Sequence, residues 1–173
     1  FESLKDSGGD LMFSARMEVQ RNPGSAAPHR DLGVVYAQAG QYDRAIGEWQ
    51  VALSLDPDMA PQIYHDMGLI YARSGVDRKA AEVLEKAVAL APDTARFHLR
   101  LGQIYAKVQR NPAAMETFKR AIELDPGLLR GHYELAMLYV RDGQYTEAVG
   151  LFQQVLETEP RHVEARYGLS LAY

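Results

Sequence analysis

A residue pattern returns about every 34 residues along this chain, and that period constrains the fold more than any other feature. Tyr36, Tyr71, Tyr105, Tyr139 and Tyr173 are separated by 35, 34, 34 and 34 residues, and Pro23, Pro57, Pro92, Pro126 and Pro160 by 34, 35, 34 and 34. The clearest copy runs from Ala95 to Pro126, with Leu101, Gly102, Tyr105, Ala114, Phe118 and Ala121 in fixed order. A repeated L-G-x-x-Y, A-x-x-x-F and P pattern at this period specifies stacked helix-turn-helix units. One such unit cannot bury its apolar face alone, so each packs on its neighbours and no single central core is expected. The expected fold is an all-α solenoid.

The period divides the chain. Residues 1–25 form a degenerate amino-terminal half-repeat or cap. Four full units follow at 26–59, 60–94, 95–128 and 129–162, and residues 163–173 supply the first helix of a fifth. Residues 1–9 carry no helical period and are either a mobile end or the remnant of a preceding helix. Asp10 is placed to cap a helix over 11–21, with Leu11 and Ala15 at its core positions. Turns between paired helices fall at Gly40, Gly75 and Gly143. The third unit lacks this glycine; there Asn111 as cap and Pro112 as first helical residue would restart the chain. Phe1 is not an initiator and Tyr173 closes only the first segment of a unit, so the chain reads as a piece of something longer.

Within each first helix the apolar residues share one face: Leu32, Val35 and Tyr36; Met67, Ile70 and Tyr71; Leu101, Ile104 and Tyr105; Leu135, Leu138 and Tyr139. Gly33, Gly68, Gly102 and Ala136 adjoin them, and their minimal side chains let the paired helix come close. The second helices answer with Ala45, Trp49 and Ala52, and with Ala80, Leu84 and Ala87. Ala114, Phe118 and Ala121, then Ala148, Phe152 and Val155, follow in the later units. Large residues meet small ones at each layer, as close packing requires.

These residues resemble the tetratricopeptide repeat (TPR) family from Ala26 to Tyr173. The family's first signature position, a tryptophan, holds His29, Tyr64, His98 and His132 here, and Ala136 stands for the signature glycine in the fourth unit. The resemblance implies a right-handed superhelix whose first helices line a concave groove that binds extended peptides or helices of other proteins. A family subclass clamps acidic carboxyl termini of chaperones through lysine and asparagine. Arg96 and Arg100 resemble part of that clamp, but Val34 and Asp66 replace its asparagines and Asp66 would repel a carboxylate, so that assignment is declined. The asparagine ladder of the glycosyltransferase-linked members is replaced by Asp31, Asp66, Arg100 and Glu134.

Few other function classes survive. The chain is 47% hydrophobic and 24% charged, which is globular and not disordered composition. Its longest apolar run, Leu135 to Val140, is far short of the ~18 residues of a membrane span. A net charge of -4 argues against general nucleic-acid affinity. There is no cysteine, and no phosphate-binding glycine loop, nucleophile elbow or zinc helix, so no catalytic residue, metal or cofactor is expected. Both a cytoplasmic and a periplasmic location are compatible with this composition. His29, His98 and His132 recur at equivalent positions, but successive units are too far apart for them to share one metal with bonds of ~2 Å. They read as structural, as do the tyrosines, which complete the apolar faces.

The face of each first helix opposite its packing face carries the functional expectation. It holds Arg30, Arg73, Arg96, Arg100, Lys107, Arg130 and Arg141 against Asp31, Asp66 and Glu134, a locally basic face on an acidic chain. His65 and Gln103 lie on it too, and Leu69, Leu99, Tyr133 and Met137 supply apolar contact. The expected activity is a non-catalytic adaptor that holds a partner protein or peptide with acidic residues over units two to four, with an apolar anchor near Tyr133. Two alternatives stand beside it. The array could self-assemble through its ends, where Tyr167, Leu169 and Leu171 lack a covering helix, or it could present substrate to an enzyme of which it is an arm.

Overall fold

The computed structural model describes residues 3–173, and among them all regular structure is helical. Helix α1 (Ser3–Arg21) leads into four antiparallel pairs: α2 (Ala26–Gln38) with α3 (Tyr42–Leu55), and α4 (Ala60–Arg73) with α5 (Asp77–Leu90). α6 (Ala95–Lys107) pairs with α7 (Asn111–Leu124), and α8 (Leu129–Arg141) with α9 (Tyr145–Thr158); α10 (Val163–Ala172) closes the array. The helices stack as a right-handed solenoid. α4, α6, α8 and α10 touch one another in turn down the array, whereas no comparable contact joins the second helices among the described residues. The first helices therefore lie on the inside of the curve. The molecule exposes 10145 Å², against about 8,500 Å² for a compact monomer of this mass.

The core is divided as the period predicts. One cluster gathers Leu32, Tyr36, Ala45, Trp49 and Ile63; a second Leu84, Leu101 and Ile104; a third Phe118, Ala121, Leu135 and Leu138; a fourth Ala136, Phe152, Val155 and Ala165. Ala45, Ala80, Ala114 and Ala148 are wholly buried, each one turn before the buried Trp49, Leu84, Phe118 or Phe152. The glycines of the first helices make the notches into which these side chains fit. A Cβ on Gly33 would lie 2.3 Å from Trp49 Nε1, one on Gly68 2.5 Å from Leu84 Cγ, and one on Gly102 2.7 Å from Phe118 Cδ1.

The tyrosine backbones define the turns. The carbonyls of Tyr36, Tyr71, Tyr105 and Tyr139 each accept a hydrogen bond from the N–H five residues on, at 2.8 to 2.9 Å, which closes the helix in a Schellman turn. Such a turn needs one residue with positive φ; Gly40, Gly75 and Gly143 supply it at 72 to 74°, and in the third unit Gln109 supplies it at 62°. A side chain there is strained by roughly 1–2 kcal/mol, part of which glycine's larger entropy loss would offset. Gln109→Gly is thus expected to stabilise the protein by about 0.5–1 kcal/mol, read as a higher urea midpoint. The restart after this turn differs from expectation: α7 begins at Asn111, so Arg110 holds the cap position, Pro112 follows as the second helical residue, and Asn111 Oδ1 is buried without a hydrogen-bond partner.

Two further expectations are corrected. Helix α1 starts at Ser3 and passes through Asp10, which does not cap it. Its packing face is Met12, Ala15 and Val19, so Ala15 packs as expected while Leu11, 58% exposed, gives way to Met12. Spacing of three and four residues keeps Met12, Ala15 and Val19 on one stripe, and Arg16 beside them donates to the Tyr36 hydroxyl at 3.1 Å. In the second unit the extra residue is taken up by a 3₁₀ turn, Pro57–Met59, capped by Asp56 Oδ1 accepting from Asp58 N, and α4 begins at Ala60 with Pro61 second.

The histidines are structural. His29 Nε2 lies 3.2 Å from the Pro23 carbonyl and His98 Nε2 2.7 Å from that of Pro92, so each ties its helix to the preceding inter-unit loop. Of the tyrosines, Tyr36 is buried and Tyr71, Tyr105 and Tyr139 half-buried. Burial, together with donation to Glu85 Oε1 at 2.8 Å, pushes the Tyr105 phenol up to about 12. Because that value exceeds the unfolded one of about 10, the stability Tyr105 contributes is whole below pH 10 and is lost as pH rises through 12. A phenolate absorbance titration should show a late phase that Tyr105→Phe removes.

Candidate functional site

The inner surface of the solenoid is built by α2, α4, α6 and α8, each presenting one stripe of side chains to the groove. Most of the expected groove residues reach that surface, and several are bonded across units. Arg96 of α6 hydrogen-bonds Gln62 of α4, whose amide donates to Asp66 Oδ1 at 2.8 Å. Arg100 donates to Gln103 Oε1 at 3.0 Å, Gln103 Nε2 donates to Glu134 Oε1 of α8 at 3.0 Å, and Arg130 Nε donates to the same oxygen at 2.8 Å. This pair of separate networks, one joining α4 to α6 and the other α6 to α8, lines the middle of the groove. It fixes the arginine heads in space, and two of them also sit on aromatic rings: Arg96 over Phe97 at 5.2 Å and Arg130 over Tyr133 at 5.6 Å.

Two expected residues are not at the surface. His65 is buried, its ring stacked on Phe97 at 4.9 Å and its Nδ1 3.1 Å from Asp66. Leu99 is 8% exposed and belongs to the core between α6 and α8. The stripe at this position of the first helix turns under its neighbour, so His65 and Leu99 support the groove from beneath. Tyr133 and Met137 are half-buried. The Tyr133 ring stacks on His162 at 5.6 Å and tilts against Phe152, and burial raises its phenol above the usual range.

The charge balance is also adjusted. Arg30 pairs with Asp31 at 2.6 Å, and Lys107 pairs at 2.6 Å with Asp77. Asp77 opens α5, and a reading confined to first helices misses it because it belongs to a second. Seven cations therefore stand against four carboxylates. Among the described residues Arg73, Arg96, Arg100 and Arg141 make no ion pair with a carboxylate, and all four are exposed. The groove keeps a positive excess, concentrated on α6 and α8.

A cavity of about 170 Å³ opens at the other end of the groove, between α2 and α4. Val34, Ala37 and Gln38 form one wall, and Asp66, Leu69 and Arg73 the other, over a floor of Trp49 and Ile70. The floor residues were legible in the sequence only as core, because they belong to the packing stripes of α3 and α4.

The chain matches the tetratricopeptide repeat family over residues 65–128 and 133–173, and a further repeat profile of that family over 33–75. This is a tetratricopeptide repeat protein. No curated protein matches it by sequence. Among solved structures this TPR protein is similar to YrrB, described as a TPR protein with an unusual peptide-binding site. They share 23% identity at a TM-score of 0.80, over 92% of this chain and 81% of that one. It is also similar to a MamA structure at 24% identity and TM-score 0.78, covering 91% and 93% of the two chains. MamA from Desulfovibrio magneticus RS-1 gives 24% identity, TM-score 0.79 and coverage of 92% and 89%. At these identities the likeness establishes the shared solenoid. TPR arrays are protein-interaction scaffolds and generally not catalysts, and no described helix of this one is long and apolar enough to cross a membrane.

Proposed function

We propose that this TPR protein is an adaptor whose concave groove holds an acidic segment of a partner protein over α4, α6 and α8. The observation that carries this reading is the pair of side-chain networks, Arg96 with Gln62 and Arg100, Gln103, Glu134 and Arg130 together, that hold arginines on one surface while Arg73, Arg100 and Arg141 are left without a carboxylate among the described residues. An exposed arginine–carboxylate pair contributes only about 0.2–1 kcal/mol, and a desolvated one about 1.5–3, so several must act together. Pre-ordered guanidinium groups favour that outcome, since less rotamer freedom is lost on binding. The likeness to YrrB, itself a TPR protein with a peptide-binding site, supports a peptide as the kind of occupant.

The test compares this chain with an Arg96→Glu/Arg100→Glu/Arg130→Glu variant as bait for proteins of the source lysate, read by mass spectrometry. The expected result is a protein retained by the first, eluted by moderate salt and absent from the second, with helical signal and melting temperature of the bait preserved. Identical captures would place binding on another surface.

A second reading, association through α10, is favoured by Tyr167 and Leu171, exposed at 64% and 45%; Leu169, expected to lack cover, instead packs half-buried on the Phe152 cluster. Light scattering over a concentration range tests it, and a strictly monomeric particle removes it.

A further inference from the structure

The groove is chemically asymmetric, and its two halves impose different demands on an occupant. Across the junctions between first helices, Val34 of α2 and Asp66 of α4 line the same opening, and Gln103 of α6 meets Glu134 of α8. At the last of these junctions the Gln103 amide crosses to Glu134 at 3.0 Å and closes the gap with polar atoms. At the first, Val34 is too short and apolar to cross, and the gap remains as the cavity between α2 and α4.

That cavity demands apolar content. Its floor is Trp49, 1% exposed, and Ile70, 4% exposed, and its walls include Val34, Ala37 and Leu69. The one polar atom of the indole is already satisfied, because Trp49 Nε1 donates to the Arg30 carbonyl at 3.0 Å. No donor or acceptor in the floor calls for a water or polar partner. A volume of about 170 Å³ is close to that of an engineered apolar cavity of about 150 Å³ that takes up benzene, so one side chain of leucine to phenylalanine size fills it. Arg73 stands on the rim with no ion pair among the described residues, while Asp66, two turns back on the same helix, is engaged by Gln62 and His65. The rim therefore accepts an anion beside the apolar group.

We infer that the segment bound in the groove carries one large apolar side chain seated between α2 and α4, followed along the chain by acidic residues at intervals of about three. The interval follows from spacing: packed helices lie about 8–10 Å apart, and an extended peptide advances about 3.3 Å per residue, so one first helix is passed every three residues. With the apolar side chain over Trp49, midway between α2 and α4, a carboxylate about four residues on lies at Arg96 and Arg100 of α6, and the next, about three residues further, lies at Arg130 of α8. The apolar anchor thus belongs to units one and two, not beside Tyr133, whose ring is engaged by His162 and Phe152. This inference rests on the groove being the binding surface, and it adds the composition and register of what binds.

A phage-displayed random dodecapeptide library selected on the 173-residue chain tests both layers separately. The expected enrichment is a leucine, methionine or phenylalanine with acidic residues about four and seven positions to one side. Trp49 is the only tryptophan, so its emission reports the cavity directly. A selected peptide should shift that emission, and the same peptide with serine at the apolar position should not, while binding about tenfold or more weakly. Ala37→Leu, which fills the cavity, should cause a similar loss. Val34→Gln, which offers Asp66 the bridge that Gln103 makes to Glu134, is a second variant should the first misfold. Enrichment of acidic residues without an apolar position, or unchanged affinity in both folded variants, overturns the inference and leaves the adaptor reading intact. Enrichment without acidic residues, or none at all, sinks both.

Discussion

Phe118→Ala is expected to lower the unfolding free energy by about 3–5 kcal/mol. Phe118 is fully buried and lies against Gly102, Ala114, Ala121 and the α8 residues Leu135 and Leu138. Truncation removes the ring from a site walled by helices on both sides, which cannot collapse without moving a whole repeat. The location magnifies the effect, because Phe118 belongs to the third unit, with complete units on either side. In a linear array stability is the sum of unit and neighbour terms, so a weakened middle unit also loosens its contacts with both neighbours. Urea denaturation followed by helical signal checks the prediction. The midpoint should fall and the transition should broaden or divide as the amino- and carboxy-terminal halves uncouple. A loss under about 1 kcal/mol would mean that the array tolerates a hole at its centre, contrary to the packing described.

Gly33→Ala should cost about 1–3 kcal/mol, although alanine is the better helix former. A Cβ at this position would stand 2.3 Å from Trp49 Nε1 and 2.5 Å from Cδ1. The indole has little room to withdraw, since it is 1% exposed and its Nε1 is held by the Arg30 carbonyl. Either the two helices separate or that hydrogen bond breaks. Gly47→Ala is the control: this glycine is also helical, but a Cβ there meets nothing within 4 Å, and the substitution should stabilise by about 0.5–1 kcal/mol. The double variant Gly33→Ala/Trp49→Phe should recover part of the loss, because the fourth unit pairs Ala136 with Phe152 at this layer. Melting curves of the three variants decide it. Equal effects of Gly33→Ala and Gly47→Ala would show that close helix approach does not govern this pair.

Local periodicity made the helices, their order and their complementary faces legible before any coordinates. The glycine notches follow from spacing too: Gly33, Gly68 and Gly102 stand sixteen residues before Trp49, Leu84 and Phe118, and the structure seats each large side chain on its glycine. Where the repeat weakens, its guidance weakens with it. In α1 Ala15 packs as expected but Met12 stands in for Leu11, because a helix outside the repeat pattern is positioned by the surface it lands on. At Gln109 the turn keeps its geometry without the residue that usually signals it, since the Tyr105 carbonyl still accepts from Arg110 N at 2.8 Å.

The candidate site divides along the same line. Which residues line the inner stripe of each first helix was legible, because that stripe repeats every 3.6 residues within one helix. What those residues do to each other was not. Gln103 reaching Glu134, Arg96 reaching Gln62 and Lys107 reaching Asp77 join side chains about thirty residues apart in the chain. Their meeting depends on helix separation, side-chain length and rotamer, none of which a period records. The burial of His65 and Leu99 and the open cavity over Trp49 are consequences of the same distances. The sequence alone determined a repeating helical scaffold with a basic inner face, because nearest-neighbour packing leaves its mark on every unit. Only the tertiary structure decided which cations keep their charge unpaired and where an apolar side chain can enter, because those depend on gaps between units that no single unit encodes.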